Sequence, residues 1–310
     1  MVGVTSYVFI PKKILSLQEQ LQSYIDAGLL ISSDEDALNA LKHIGFYRLR
    51  GYSYPFYDNS RKKYITGTSL HQILQIYEFD QDLSHCLFGF LSKIEISLRA
   101  NLIAALLETY DDALILYEPV VFKNKSLFWK NLSKISSEIS RSNDVFIKHN
   151  FNNHDGQIPL WAVVEVISFG TLSKIVKNLK TGKGSAYEHF ANHYKIMTSK
   201  GNYINPNANM LSSWIHAVTI LRNCCAHNAR IYNRSINTSP ELINTDKIMP
   251  PPRFNGLYQN LLAMKYLRPN NITWQTFYLQ LHALLEQYQD YICLEALNFP
   301  ADWEKHFLIP

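Results

Sequence analysis

LHQILQIYEFDQDLSHCLFGFLSKIEISLRANLIAALLE, residues 70–108, decides the fold class. Within it Leu83, Leu87, Leu91, Ile94, Leu98, Leu102 and Ala105 step by four, four, three, four, four and three, the stripe of a helix and not the alternation of a strand. Ser69 stands where an N-cap belongs. The pattern therefore predicts one helix from about Leu70 to Glu108, or two joined near Gly89. At 1.5 Å per residue it reaches about 60 Å and serves as a spine.

Helical periodicity continues on both sides of this stretch. Before it, patterns run over about Leu17 to Ala27 and Asp34 to His43, the second opened by Ser32 or Ser33 as cap. After it come Leu127 to Ser140, Leu160 to Phe169, Leu172 to Leu179 and Ala186 to Tyr194, with Gly170 marking a kink or break. A loop over Gly201 to Asn209 precedes a helix from about Met210 to His227, whose apolar stripe is Leu211, Trp214, Ile215, Val218 and Leu221. Asn237 to Pro252, with Pro240, Pro250, Pro251 and Pro252, reads as a linker or crossing loop, followed by helices over Leu257 to Leu267 and Trp274 to Tyr291. The expected fold class is all-α.

Between the second helix and the spine lies Gly45 to Tyr57, rich in aromatics. Two glycines and Pro55 argue against a long regular helix there, and the segment is expected to wrap an apolar surface. Its tyrosines fill a core, or Tyr52 or Tyr54 stacks on nucleobases.

The 310 residues carry 30 Lys+Arg against 26 Asp+Glu, with 47% hydrophobic and 13% aromatic residues. That is too apolar for disorder and too evenly charged for a protein that coats duplex DNA. The longest apolar runs, such as Leu102 to Leu107, fall far short of a membrane span. Met1 to Lys13 has no long apolar region after Lys12 and Lys13, so a secretory signal is not expected and a cytoplasmic location is. Cys86, Cys224, Cys225 and Cys293 have no C-x-x-C spacing. The vicinal pair would point about 100° apart on a helix, a poor start for a zinc site, and all four are expected to be buried structural thiols. His189, His193 and His216 have no carboxylate or thiol partners at metal-ligand spacing, and no metal or cofactor is expected.

Charge is unevenly spread. Between Glu188 and Glu241 no acid occurs, while Lys195, Lys200, Arg222, Arg230 and Arg234 all do, giving +5 against +4 for the whole chain. This interval contains Leu221-Arg222-Asn223-Cys224-Cys225-Ala226-His227-Asn228-Ala229-Arg230-Ile231-Tyr232-Asn233-Arg234. An arginine can grip non-bridging phosphate oxygens and offset charge on a pentacoordinate phosphorus, and a histidine can move protons near neutral pH. With a 2′-hydroxyl as nucleophile, RNA can be cleaved by this pair without a metal. Asn223 and His227 share a helix face, whereas Arg222 and His227 lie about 140° apart. Joint action on one phosphate requires that the helix end or bend near Ala226, or that two copies pair across a two-fold cleft. An Arg and a His five apart also occur in many helices, and a histidine near a helix C-terminus is favoured by the dipole alone.

Arg222-Asn223-x-x-Ala226-His227 resembles the Arg-x4-6-His motif of the HEPN superfamily (higher eukaryotes and prokaryotes nucleotide-binding), and Leu221 to Arg234 resembles the signature of bacterial Abi-like proteins of AbiD/AbiF type. Three further segments resemble that family in the same order: Gly45 to Phe56, Phe79-Asp80 followed by Ile94 to Arg99, and Pro159 to Ser173. Together they extend over roughly residues 10 to 235. The resemblance implies a HEPN-like helical bundle over 67–236. An N-terminal helical and aromatic-rich segment over 1–66 and a proline-rich crossing loop with C-terminal helices over 237–310 are the additions.

It also implies a homodimer, metal-independent endoribonuclease activity leaving 2′,3′-cyclic phosphates, a role in phage abortive infection or as a toxin, and an inhibitor or guide RNA as a further partner. On this carry-over Arg222 and His227 are catalytic and Asn223 supports them. Asn228 departs from the pattern, standing where many members carry a second histidine. Arg230, Asn233 and Arg234 read as RNA-backbone contacts or as solvated helix-end residues. Glu95 and Arg99, four apart on the spine, read as a structural pair or as the partner that orients Arg222, against direct catalysis as the alternative, and Glu165 is read in the same way. A noncatalytic RNA- or protein-binding HEPN module, acting as sensor or scaffold, is the alternative.

Overall fold

The computed structural model describes residues 13–197, 201–247 and 256–309. Met1 to Lys12, Lys200 and the prolines at 250–252 lie outside the described residues. The chain divides into two compact units between Phe79 and Asp80. In chain order the helices are α1 (Leu17–Asp26), α2 (Asp34–His43), α3 (Phe46–Ser53), α4 (Leu70–Tyr110), α5 (Lys125–Arg141), α6 (Val145–Asn153), α7 (Leu160–Val166), α8 (Phe169–Asn178), α9 (Ala186–Ala191), α10 (Ala208–Ala226), α11 (Leu257–Tyr266), α12 (Asn271–Gln287) and α13 (Trp303–Phe307). The strands among the described residues form two short antiparallel hairpins, β1 (Tyr57–Asp58) with β2 (Lys63–Tyr64) and β3 (Ile196–Met197) with β4 (Tyr203–Ile204). The fold is all-α.

In the first unit, Ser16 caps α1 through a reciprocal capping box with Glu19, and Ser33 caps α2 by accepting from the Asp36 amide. The aromatic segment is partly helical. Gly45, at φ +92°, opens α3 with a backbone that L side chains rarely adopt, and Pro55 falls in the 3-10 turn that ends it. Leu49 and Tyr52 are buried, as are Leu21, Tyr24 and Ile76 of the same unit, and Tyr52 meets Tyr77 edge-on.

In the second unit the expected stripe of α4 is the centre of the core. Leu83, Leu87, Leu91, Ile94, Leu98 and Leu102 are each fully buried. α4 continues through Gly89 without a break. α10 packs against α8 and α11, and α5 against α7 and α8. Trp214 of α10 is fully buried, and its indole N–H satisfies the Glu241 carbonyl at 2.6 Å. The described part of the proline-rich connection is therefore fastened to the core. Asp246, within it, accepts from Lys265 at 3.1 Å and from the Tyr266 hydroxyl at 2.7 Å.

The break between α7 and α8 falls at Ile167–Ser168 and not at Gly170, which lies in the first turn of α8. Ser168 is the physical reason. It caps α8 by accepting from the Thr171 amide and donates its hydroxyl to Glu138 of α5 at 2.7 Å. The helix α6 has no counterpart among the sequence patterns, because its side chains Phe146 and Phe151 are half exposed and leave no clean stripe. Cys225 is buried and Cys86 and Cys224 are half-buried, but Cys293 is exposed, against the expectation that all four are buried. Cys293 sits after α12, beside Glu295, which accepts from its thiol at 2.6 Å.

Candidate functional site

Arg222 lies in α10, one turn before the helix's last residue, Ala226, on the flank that faces α4 and α8. Its Nη2 meets Glu95 Oε2 at 2.9 Å, its Nη1 donates to Asn223 Oδ1 at 3.2 Å, and its Cζ stands 6.0 Å from the Phe169 ring centre. Glu95 uses its other oxygen for Arg99, 2.6 Å from Nη2. One carboxylate thus bridges two guanidinium groups, and the three-residue cluster keeps a formal charge of +1. Burial sharpens this arrangement: the side chains of Glu95 and Arg99 are 10% and 11% exposed, that of Arg222 29%. The open edge of the cluster belongs to Arg222.

The C-terminal end of α7 fixes Arg99. Its guanidinium donates to the carbonyls of Val164 and Ile167, the latter at 2.9 Å, where a helix end leaves carbonyls without intrahelical partners. The chain of support runs from the α7 carbonyls through Arg99 and Glu95 to Arg222. Glu165 is exposed and takes no part in these contacts.

α10 ends at Ala226, and His227 is its C-cap, exposed to solvent. Asn228 follows at φ +50°, its amide donating to Cys225 O at 3.0 Å, while the Ala229 amide returns to Cys224 O at 2.8 Å. These two bonds form a Schellman motif, which requires a left-handed residue at the position of Asn228. Asparagine tolerates that conformation, and so does histidine more readily than most side chains. Asn228 is thereby explained as a helix stop. The amide of His227 still closes a helical bond to the Asn223 carbonyl at 3.0 Å, and the left-handed turn comes only at Asn228, so the helix end does not carry His227 round to the side of α10 that bears Arg222. Arg222 itself is directed to Glu95 and Asn223.

Beyond the turn the chain is pinned by a residue that the spacing of the motif does not reveal. Asp80, 1% exposed, accepts the Ile231 amide at 3.1 and 3.2 Å with its two oxygens and the Tyr232 amide at 2.7 Å. The only signal in the sequence was the Phe79-Asp80 pair in the family resemblance. Asp80 is 151 residues from Ile231, so no local pattern links them. Arg230 and Asn233 are half-buried and Arg234 is exposed. Arg234 donates to the Arg230 carbonyl at 3.3 Å, and Asn233 makes a second left-handed turn at φ +49°.

Burial pushes the Cys225 thiol up to about 12 and raises Cys224, so neither is poised as a nucleophile beside the motif. Among the described residues no group of three His, Cys, Asp or Glu side chains is placed to hold a metal ion, and no helix is long and apolar enough to cross a membrane. A cavity of about 610 Å³ in the second unit, lined by Lys195, Tyr203, Asp246, Lys265, Arg268 and His306 among others, shares no residue with the Arg222 cluster.

Neither the curated proteins nor the solved structures include a match to this chain. Residues 39–233, which contain Asp80, Glu95, Arg99, Phe169, Arg222 and His227, match the family described as Abi-like protein, and on a match covering more than half of its length the chain belongs to that family.

Proposed function

We propose that this Abi-like protein is a metal-independent endoribonuclease of HEPN type that acts in abortive infection, a form of phage defence. The observation that carries the reading is the orientation of Arg222, held by the buried Glu95–Arg99 pair with its open edge toward solvent, five residues before the exposed His227 that caps α10. An arginine has five N–H donors, and Glu95 and Asn223 engage only two of them through the contacts above. The others can hold a non-bridging phosphate oxygen. His227 takes the proton from the 2′-hydroxyl or gives one to the departing 5′-oxygen. The 2′-oxygen attacks phosphorus, the P–O5′ bond breaks, and the products are a 2′,3′-cyclic phosphate and a 5′-hydroxyl. Asn223 steadies Arg222, while Arg230, Asn233 and Arg234 serve as backbone contacts. A homodimer with α10 at the two-fold axis doubles the positive charge of the cleft and brings a second His227 to it.

Purified protein incubated with mixed RNAs in EDTA tests this reading. Cleavage should persist and leave cyclic phosphate ends, and His227→Ala should lose about 10²-fold or more of the rate while keeping most of the RNA affinity. Magnesium dependence with 5′-phosphate products would overturn it. The ion pair already occupying Arg222 favours a second reading, a noncatalytic RNA- or protein-binding module. RNA bound but never cut, with a cellular effect unchanged by His227→Ala, would select that second reading.

A further inference from the structure

The first unit carries a surface that the Arg222 site does not use. Its charge is segregated along the chain: residues 13–41 hold Lys13 against Glu19, Asp26, Asp34, Glu35 and Asp36, a net −4, while residues 42–64 hold Lys42, Arg48, Arg50, Arg61, Lys62 and Lys63 against Asp58 alone, a net +5. The basic part is α3 with the β1–β2 hairpin, and two tyrosines on it face water. Tyr47 is 91% and Tyr54 55% exposed. The aromatic rings around them are more covered: Tyr52 and Tyr64 are 3% and 6% exposed, and Phe46, Phe56 and Tyr57 are half-buried.

Helical geometry puts the two exposed rings on one side. Residues 46–53 are helical and Tyr54 keeps αR torsions, so Tyr47 and Tyr54, seven apart, differ by about 20° around the axis and about 10 Å along it. Arg50 lies between them along the helix, and its guanidinium carbon stands 5.0 Å from the Tyr57 ring centre, in a hollow that it lines together with Lys62, Asp26 and the Lys13–Glu19 ion pair. The Tyr54 hydroxyl accepts from Asn59 Nδ2 at 3.0 Å, which ties this side of α3 to the hairpin turn where Arg61 and Lys62 are exposed. Two flat rings open to solvent, with cations between and beside them, match the chemistry of a flexible polyanion with stacking bases. A duplex keeps its bases stacked inside and would not offer them to such rings, whereas a single strand does.

We propose that the exposed side of α3 and the β1–β2 turn docks single-stranded RNA, Tyr47 and Tyr54 stacking on bases while Arg50 and Lys62 meet phosphates. This rests on RNA being the substrate, and it adds a subsite in the first unit. The test uses the full chain carrying His227→Ala, so that RNA is bound and not cut, with a labelled single-stranded oligouridine as probe. Tyr47→Ala with Tyr54→Ala should weaken binding roughly tenfold or more, and Tyr47→Phe with Tyr54→Phe should restore it, because the ring and not the hydroxyl stacks. Arg50→Gln with Lys62→Gln should flatten the salt dependence of log K by ~1.4, about 0.7 for each phosphate that no longer meets a cation. An alanine pair that binds as tightly as its parent, with unchanged thermal unfolding, would overturn the subsite and leave the nuclease reading standing. A parent chain that binds no RNA at all, while folded, would overturn both.

Discussion

Asp80→Ala is the substitution whose cost can be worked most directly from the structure. The carboxylate is buried and receives three short hydrogen bonds from two backbone amides, those of Ile231 and Tyr232, themselves in residues only 1% and 7% exposed. Alanine leaves both N–H groups without that acceptor where water has little access, at about 1–3 kcal/mol each, or about 2–6 kcal/mol in all. Asp80→Asn keeps Oδ1, which serves both amides at 3.1 and 2.7 Å, and gives up the charge and the weaker hydrogen bond at 3.2 Å. It should cost about 1–2 kcal/mol. Urea unfolding of both variants measures the difference, and hydrogen exchange over residues 229–233 locates it. Since Asp80 holds the chain just past the His227 turn, that segment should exchange faster in Asp80→Ala before the rest of the second unit does. An Asp80→Ala variant within about 1 kcal/mol of the parent, or an asparagine variant as damaged as the alanine one, would refute the reasoning.

Arg99→Lys keeps the charge but not the fork that reaches Glu95 and two α7 carbonyls at once, so it should cost about 1.5–3 kcal/mol in thermal or urea unfolding and lower the rate of RNA cleavage by loosening Arg222. Ser168→Ala removes both the α8 cap and the hydroxyl given to Glu138, and should destabilise by about 1–2 kcal/mol with no change in RNA affinity. Burial raises the Cys225 thiol to about 12, which keeps it protonated at pH 8. It should resist alkylation there until denaturant is added, as peptide mapping of the labelled chain can check.

Helix existence was legible in the sequence because burial imposes a period. The stripe Leu83 to Ala105 and that of Leu211 to Leu221 are buried along one side of each helix, and no other local structure has that spacing. Caps were legible for a similar reason, since Ser33 and Ser69 act within three residues of themselves. Helix ends were less so. Gly170 looked like a break from composition, but the break followed Ser168, whose capping position depends on Glu138 from another helix. The stop after Ala226 needed the left-handed turn at Asn228, a position that in the sequence had registered only as a departure from a family pattern.

Within the motif, residue types alone pointed to phosphate chemistry, and helical spacing alone raised the 140° separation of Arg222 from His227. Which side of α10 faces Glu95 depended on the packing of α10 against α8 and α11. The aromatic segment divides in the same way: composition marked it as aromatic, and packing sent Tyr52 into the core and left Tyr47 outside. Periodicity is a property of neighbours in the chain, so sequence by itself determined the helices that bury a regular stripe, and not α6, whose exposed side chains leave none. The Glu95 bridge, the Asp80 clamp and the exposed tyrosines join residues tens to more than a hundred positions apart or depend on what covers them, and only the tertiary structure decided those.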